Sequence, residues 1–117
     1  MSKAVIFFAP GLEECEGLLC VDILRRAGVE VTIAAVGGQK IVTSARGIHV
    51  VADALVEELD YAAFDACILP GGIPGVPNLK GRCYGQKGLS GLCRGRQAGC
   101  GYLCSAYGIG GLRCAER

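Results

Sequence analysis

Apolar residues are grouped along the first 80 positions in short blocks with a regular punctuation. Lys3–Ala9 (KAVIFFA) is a continuous apolar run that stops at Pro10-Gly11, the pattern of a strand buried on both faces. Glu13–Ala27 (EECEGLLCVDILRRA) has helical spacing, with acids in its first turn, Arg25 and Arg26 in its last, and Gly28 where a C-terminal cap belongs. Val29–Val36 (VEVTIAAV) predicts a second strand ended by Gly37-Gly38. Lys40–Thr43 and Ile48–Ala52 predict a small hairpin, and Asp53–Phe64 one or two helical turns. Ala66–Leu69 (ACIL) predicts a further buried strand, stopped by Pro70-Gly71-Gly72. Strand, helix, strand and a later strand imply an α/β fold with a parallel sheet and helices on its faces.

The pattern changes at residue 81. Residues 1–80 hold ten acids, six bases, three cysteines and nine glycines; residues 81–117 hold one acid, six bases, five cysteines and ten glycines. That second stretch has no Val, Thr, Asp, Asn, Pro or Phe, no helical period and no strand alternation. Each glycine would weaken a helix by about 1 kcal/mol relative to alanine.

Bulk properties narrow the function classes. A chain of 117 residues makes at most one domain, and a net charge of +1 gives no electrostatic case for nucleic acid. No apolar run approaches the ~18 residues of a membrane span. The start, MSKAVIFFAPG, reads as a first strand and not as a signal peptide, so a cytoplasmic location is expected. Eight cysteines there point to metal, catalysis or chance before disulfides.

Ligands of open parallel sheets bind beyond the carboxyl ends of the strands. Two loops lie at such ends, PGLEECE and LPGGIPG. The first delivers Glu13, Glu14 and Glu16 at a helix start. The second offers Gly71 and Gly72, whose bare backbone admits a close ligand and whose N–H groups could hold an oxyanion. The plainer reading of the same residues is a capped helix and a turn.

The stretches APGLEECEGLLCVDILRRAGVEVTIA, ARGIHVVAD and ILPGGIPGVPNL, taken in that order, resemble the ThiJ/PfpI family, the group of the Parkinson-disease protein deglycase and of glutathione-independent glyoxalases. The resemblance covers residues 3–80. It implies a flavodoxin-like, class I glutamine amidotransferase-like sandwich, commonly a homodimer, with no cofactor and a part in stress response. It implies a cysteine nucleophile on a strand-to-helix elbow resembling AAICAAP, and a glutamate of the first helix whose carboxyl hydrogen-bonds the thiolate; by position that glutamate is Glu16. Gly71 and Gly72 match the family's active-site backbone, and Arg46 an arginine near the pocket. The implied substrates are 2-oxoaldehydes such as methylglyoxal, or their early adducts on proteins and nucleotides.

The elbow itself is missing from residues 81–117, although GYLCSAY falls at about its place, with Cys104 as a stand-in nucleophile. The genetic code suggests a reason. An alanine codon misread by one base encodes Gly, Arg, Cys or Ser, and these four fill 22 of the 37 tail positions. Joining the last two bases of each codon to the first of the next, residues 81–97 permit ADATVKKALADYVAAG, 97–107 permit KPAAAICAAP, and 108 onward permits ALGALGALK. A helix, its glycine and the elbow return in register with the first 80 residues. Residues 81–117 therefore read as out-of-frame translation, and residues 1–80 as the N-terminal part of the domain, so that the chain as written is expected to be inactive. Other readings carry less. Cys83, Cys93, Cys100, Cys104 and Cys114 show no CxxC knuckle for zinc, and His49 is the only histidine. The basic tail lacks a repeated nucleic-acid motif. Cys15, Cys20 and Cys67 are expected as small buried side chains, and His49 as structural. A truncated, non-catalytic α/β fragment is the alternative function.

Overall fold

The computed structural model describes residues 2–75 and 77–79. Four strands, β1 (Lys3–Phe8), β2 (Glu30–Ala35), β5 (Ala54–Leu55) and β6 (Ala66–Ile68), form one sheet in the order β5-β2-β1-β6. Every pairing in it is parallel. Helix α1 (Glu14–Arg26) crosses from β1 to β2, and β3 (Ile41–Thr43) pairs antiparallel with β4 (His49–Val51) in a separate hairpin.

The continuous apolar run of β1 is explained by its central place. Ala4, Ile6 and Phe8 belong to a core cluster with Leu12, Val21 of α1, Ile33 and Val42. Val5, Phe7 and Ala9 belong to a second cluster with Ala34, Val56, Leu69 and Leu79. Successive side chains of a strand point to opposite faces, so both faces of β1 are covered from Ala4 to Phe8, and its one polar residue, Lys3, stands at the strand's open end. On the second face Phe7 stacks on Tyr61, with ring centroids 6.1 Å apart.

Helix α1 is closed at both ends as its sequence indicates. Glu13 is the N-cap, its carboxylate accepting the Glu16 N–H at 2.8 Å. At the other end the Ala27 N–H donates to Ile23 and the Gly28 N–H to Arg25, with Gly28 at φ +83°. Gly17 lets the helix sit close to the sheet: a Cβ there would lie 2.9 Å from both Leu12 Cδ1 and Phe8 Cε1.

Residues 53–64 hold the one or two helical turns expected of them, in 3-10 form, together with a short strand that was not expected. They give the two-residue strand β5 and two 3-10 turns, Val56–Glu58 and Tyr61–Ala63. The Asp53 carboxylate accepts from the Ile33 N–H at 2.8 Å and from Arg25 Nη2 at 3.0 Å, which ties this segment to β2 and holds it extended. The other expected elements stand within one residue of their expected ends. The cysteines correct an expectation: Cys15 is exposed, and Cys20 and Cys67 are only partly buried. Cys15 lies one position along the helix from buried Glu14, and a step of ~100° per residue turns it out of the packed stripe.

Candidate active site

β1 and β6 are adjacent and parallel, so their carboxyl ends bring residues 9–13 and 69–75 side by side. Glycine permits the contact between them. A Cβ on Gly11 would lie 2.5 Å from Pro74 Cδ, and one on Gly75 would lie 2.7 Å from Leu12 Cα. Gly72, at φ +117°, has its backbone against the Glu13 nitrogen, Leu12 and Gly11. The Gly75 N–H donates to the Gly11 carbonyl at 3.0 Å, and Asn78 Nδ2 to the Pro10 carbonyl at 2.7 Å. The β3–β4 hairpin closes a third side, through Gly11 N–H to the Thr43 carbonyl and Ala45 N–H to the Leu12 carbonyl, each 2.9 Å.

Glu16, half-buried, is held by this arrangement. Its Oε2 accepts the Gly71 N–H at 2.8 Å across 55 positions of sequence. The Gly71 carbonyl accepts the Glu13 N–H at 2.9 Å, and Glu13 Oε2 accepts the Glu16 N–H at 2.8 Å. Three hydrogen bonds thus form a closed circuit through Glu13, Glu16 and Gly71. The Gly72 N–H, by contrast, has no hydrogen-bond partner among the described residues. Of the two glycines assigned to an oxyanion loop, Gly71 has its amide engaged and Gly72 offers its own. Glu14 is only 8% exposed, and its Oε2 has no partner among the described residues. Arg46 lies exposed in the hairpin turn, beside the Ala45–Leu12 contact.

The structure therefore brings Glu16, Gly71 and Gly72 together and sets Arg46 on the neighbouring turn. Cys104 and the other tail cysteines lie outside the described residues. His49 is exposed on the hairpin, its Nδ1 2.9 Å from Thr43 Oγ1. Among the described residues no group of three His, Cys, Asp or Glu is placed to hold a metal ion. Nor is any helix there long and apolar enough to cross a membrane. Glu13, legible in the sequence only as one of three glutamates at a helix start, supplies both the N-cap carboxylate and a backbone donor to Gly71. Its signal was the i, i+3 spacing of Glu13 and Glu16 at a helix start, the spacing of a capping box.

Comparison with known proteins gives the family. The model of the DJ-1/PfpI family matches residues 2–84, most of the chain. The chain belongs to the DJ-1/PfpI family. It is 42% identical over 78 residues to Protein DJ-1 homolog B of Arabidopsis thaliana, a match covering 67% of this chain and 18% of that protein. It is 35% identical over 105 residues to Protein dj-1beta of Drosophila melanogaster, covering 88% of this chain and 54% of that one. Among solved structures, a DJ-1 superfamily protein of Salmonella typhimurium superposes with a TM-score of 0.73 at 36% identity, over 79% of this chain and 50% of that one. The chain thus spans about half or less of the relatives it matches. The flavodoxin-like parallel sheet of the family is present as a partial version of the fold.

Proposed function

We propose that this chain carries the glutamate half of a cysteine-dependent deglycase or glyoxalase site, acting on 2-oxoaldehydes such as methylglyoxal or on their early adducts. The observation that supports this reading most is the half-buried Glu16 carboxyl, tied down on one oxygen by Gly71 and placed at the carboxyl ends of two adjacent parallel strands. A thiol near its ordinary pKa of about 8.5 is mostly protonated at neutral pH, and the thiolate is the nucleophile. A carboxyl that carries a proton and donates it to sulfur favours the thiolate. The same acid then gives its proton to the substrate's carbonyl oxygen as the C–S bond of the thiohemiacetal forms. The Gly72 amide, without a partner among the described residues, is the donor for oxyanion charge on this loop, and Arg46 on the neighbouring turn is the arginine that the family resemblance sets near the substrate.

The nucleophile belongs to the stretch after residue 80. In the proposed reading that stretch is out of frame, residues 1–80 are the authentic N-terminal part of the domain, and the cysteine is the one in the AAICAAP-like elbow that the shifted frame restores. Cys104 is the nucleophile to test if the frame stands as written. In the intact protein the site works in a cytoplasmic homodimer. The exposed apolar residues Leu18, Leu19 and Ile23 of α1, with Ile48 and Val51 of the hairpin, suit such a contact.

The test has two stages. Resequencing the DNA across codons 78–90 and past codon 117 is expected to show one base gained or lost near codon 81. The frame-restored protein is then expected to consume methylglyoxal without glutathione, Glu16→Ala to abolish this, and the 117-residue chain to be inactive. In-frame codons throughout, or a restored protein with no activity, overturn the reading in favour of a non-catalytic α/β fragment, which the half-length match to relatives would then favour.

A further inference from the structure

Glu13 and Glu16 stand at the N-cap and the third helical position of α1, where a capping box forms. In that motif the N-cap side chain accepts from the third residue's N–H, and the third residue's carboxylate accepts from the N-cap N–H. Only the first half is present here, Glu16 N–H to Glu13 Oε2 at 2.8 Å. The reciprocal bond is opened, and Gly71 is inserted into it. Its carbonyl accepts the Glu13 N–H at 2.9 Å, and its N–H donates to Glu16 Oε2 at 2.8 Å. A local motif has become a clamp on a side chain by a residue of another loop.

From this geometry we infer that Glu13 and Gly71 are positioning groups for Glu16, holding it with Oε2 as the acceptor and Oε1 as the oxygen that carries the exchangeable proton. The inference rests on the proposed role of Glu16 as the acid beside the thiolate. In a neutral carboxyl the carbonyl oxygen accepts and the hydroxyl oxygen donates. The Gly71 N–H can only donate, so the oxygen it binds is the carbonyl-like one and the proton goes to the other. Without the clamp both oxygens compete for the proton and the side chain can swing. With it the donor direction is set before any thiol or substrate arrives, as preorganised catalysis requires. The close approach of Gly72 and Gly75 to residues 11–13 brings the Gly71 main chain to the helix start, and Glu13 holds both ends of the contact, one by its backbone and one by its carboxylate.

The test uses the full 117-residue chain labelled with ¹⁵N and ¹³C, following the Glu16 side-chain carboxyl carbon and the Gly71 amide through a pH titration. The Gly71 amide is expected to shift in one step together with the Glu16 carboxyl carbon. Glu16→Gln, which keeps a carbonyl acceptor for Gly71, is expected to remove that step and leave the amide at a fixed hydrogen-bonded position. Glu13→Gln keeps the acceptor for the Glu16 N–H and is expected to retain the step; Glu13→Ala is expected to reduce it and to raise the hydrogen-exchange rate of the Gly71 amide. A Gly71 amide that ignores the Glu16 titration, or a Glu13→Ala variant with unchanged step and exchange, overturns the inference. The parent reading fails by a different signal: methylglyoxal consumption by the frame-restored protein that is indifferent to Glu16→Ala, with the Gly71 coupling intact.

Discussion

Replacing Gly72 with alanine is the sharpest probe of the contact between the two loops. Gly72 sits at φ +117°, a conformation that side chains rarely adopt, and an added Cβ would meet the main chain of Glu13, Leu12 at 2.8 Å and the Gly11 carbonyl at 2.9 Å. These obstacles are backbone atoms, so no rotamer change relieves them. The backbone conformation alone costs about 1–3 kcal/mol. If the loop backs away, the Glu13–Gly71 and Gly71–Glu16 hydrogen bonds lengthen or break, at about 1 kcal/mol each. The sum is about 4 kcal/mol, a large part of the roughly 5–15 kcal/mol that holds a domain folded. Gly28→Ala is the matched control. It too has a positive φ, +83°, but nothing lies within 4 Å of its Cβ position. It should cost only the left-handed penalty, about 1–2 kcal/mol. Urea unfolding followed by far-UV circular dichroism reads both. With an m-value of about 1.5 kcal/mol/M, the midpoint should fall by roughly 2–3 M for Gly72→Ala and about 1 M for Gly28→Ala. Equal shifts would refute the claim that steric closure of the two loops, and not backbone conformation alone, dictates glycine at 72.

Three further outcomes follow from the packing. Phe8→Ala, which empties a fully buried ring from the core cluster beside Leu12 and Val21, should destabilise by about 3–5 kcal/mol, read as the loss of cooperative thermal unfolding. Asp53→Ala leaves the Ile33 N–H without its acceptor and Arg25 without its ion pair; because both charged side chains are half exposed, about 1–2 kcal/mol is expected, and faster hydrogen exchange at Ile33 checks it. Glu13→Ala removes the N-cap of α1 and should cost about 1 kcal/mol, visible as fraying of residues 14–17 in amide exchange while residues 21–26 keep their protection.

The elements of the first 80 residues were legible because each rests on a local rule. An unbroken apolar run predicts a strand covered on both faces, and Lys3–Phe8 is that strand. Acids at the start, arginines at the end and a following glycine predict a helix, and Glu14–Arg26 is that helix, displaced by one residue at each end because Glu13 and Ala27 serve as its caps. In the segment after Asp53 the helical turns were legible, but the short strand before them was not. Two residues of strand carry no period of their own, and what holds them is the pairing of Ala54 and Leu55 with Ala34 and Ala35 of β2.

For the candidate site, the sequence by itself nominated the residues. Three glutamates at a helix start and two glycines after a strand are enough to place both loops at the carboxyl end of a parallel sheet, and the family resemblance singles out Glu16, Gly71, Gly72 and Arg46. What each group touches was decided by the tertiary structure alone. That Glu14 is buried while Cys15 is exposed depends on which stripe of α1 meets the sheet. That Gly71 has its amide occupied while Gly72 has no partner among the described residues depends on a hydrogen bond spanning 55 residues. Helical and strand periods fix the direction of a side chain relative to its own backbone. The partner that a carboxyl or an amide meets is set by which strands lie adjacent, and here the pairing of β1 with β6 made that choice.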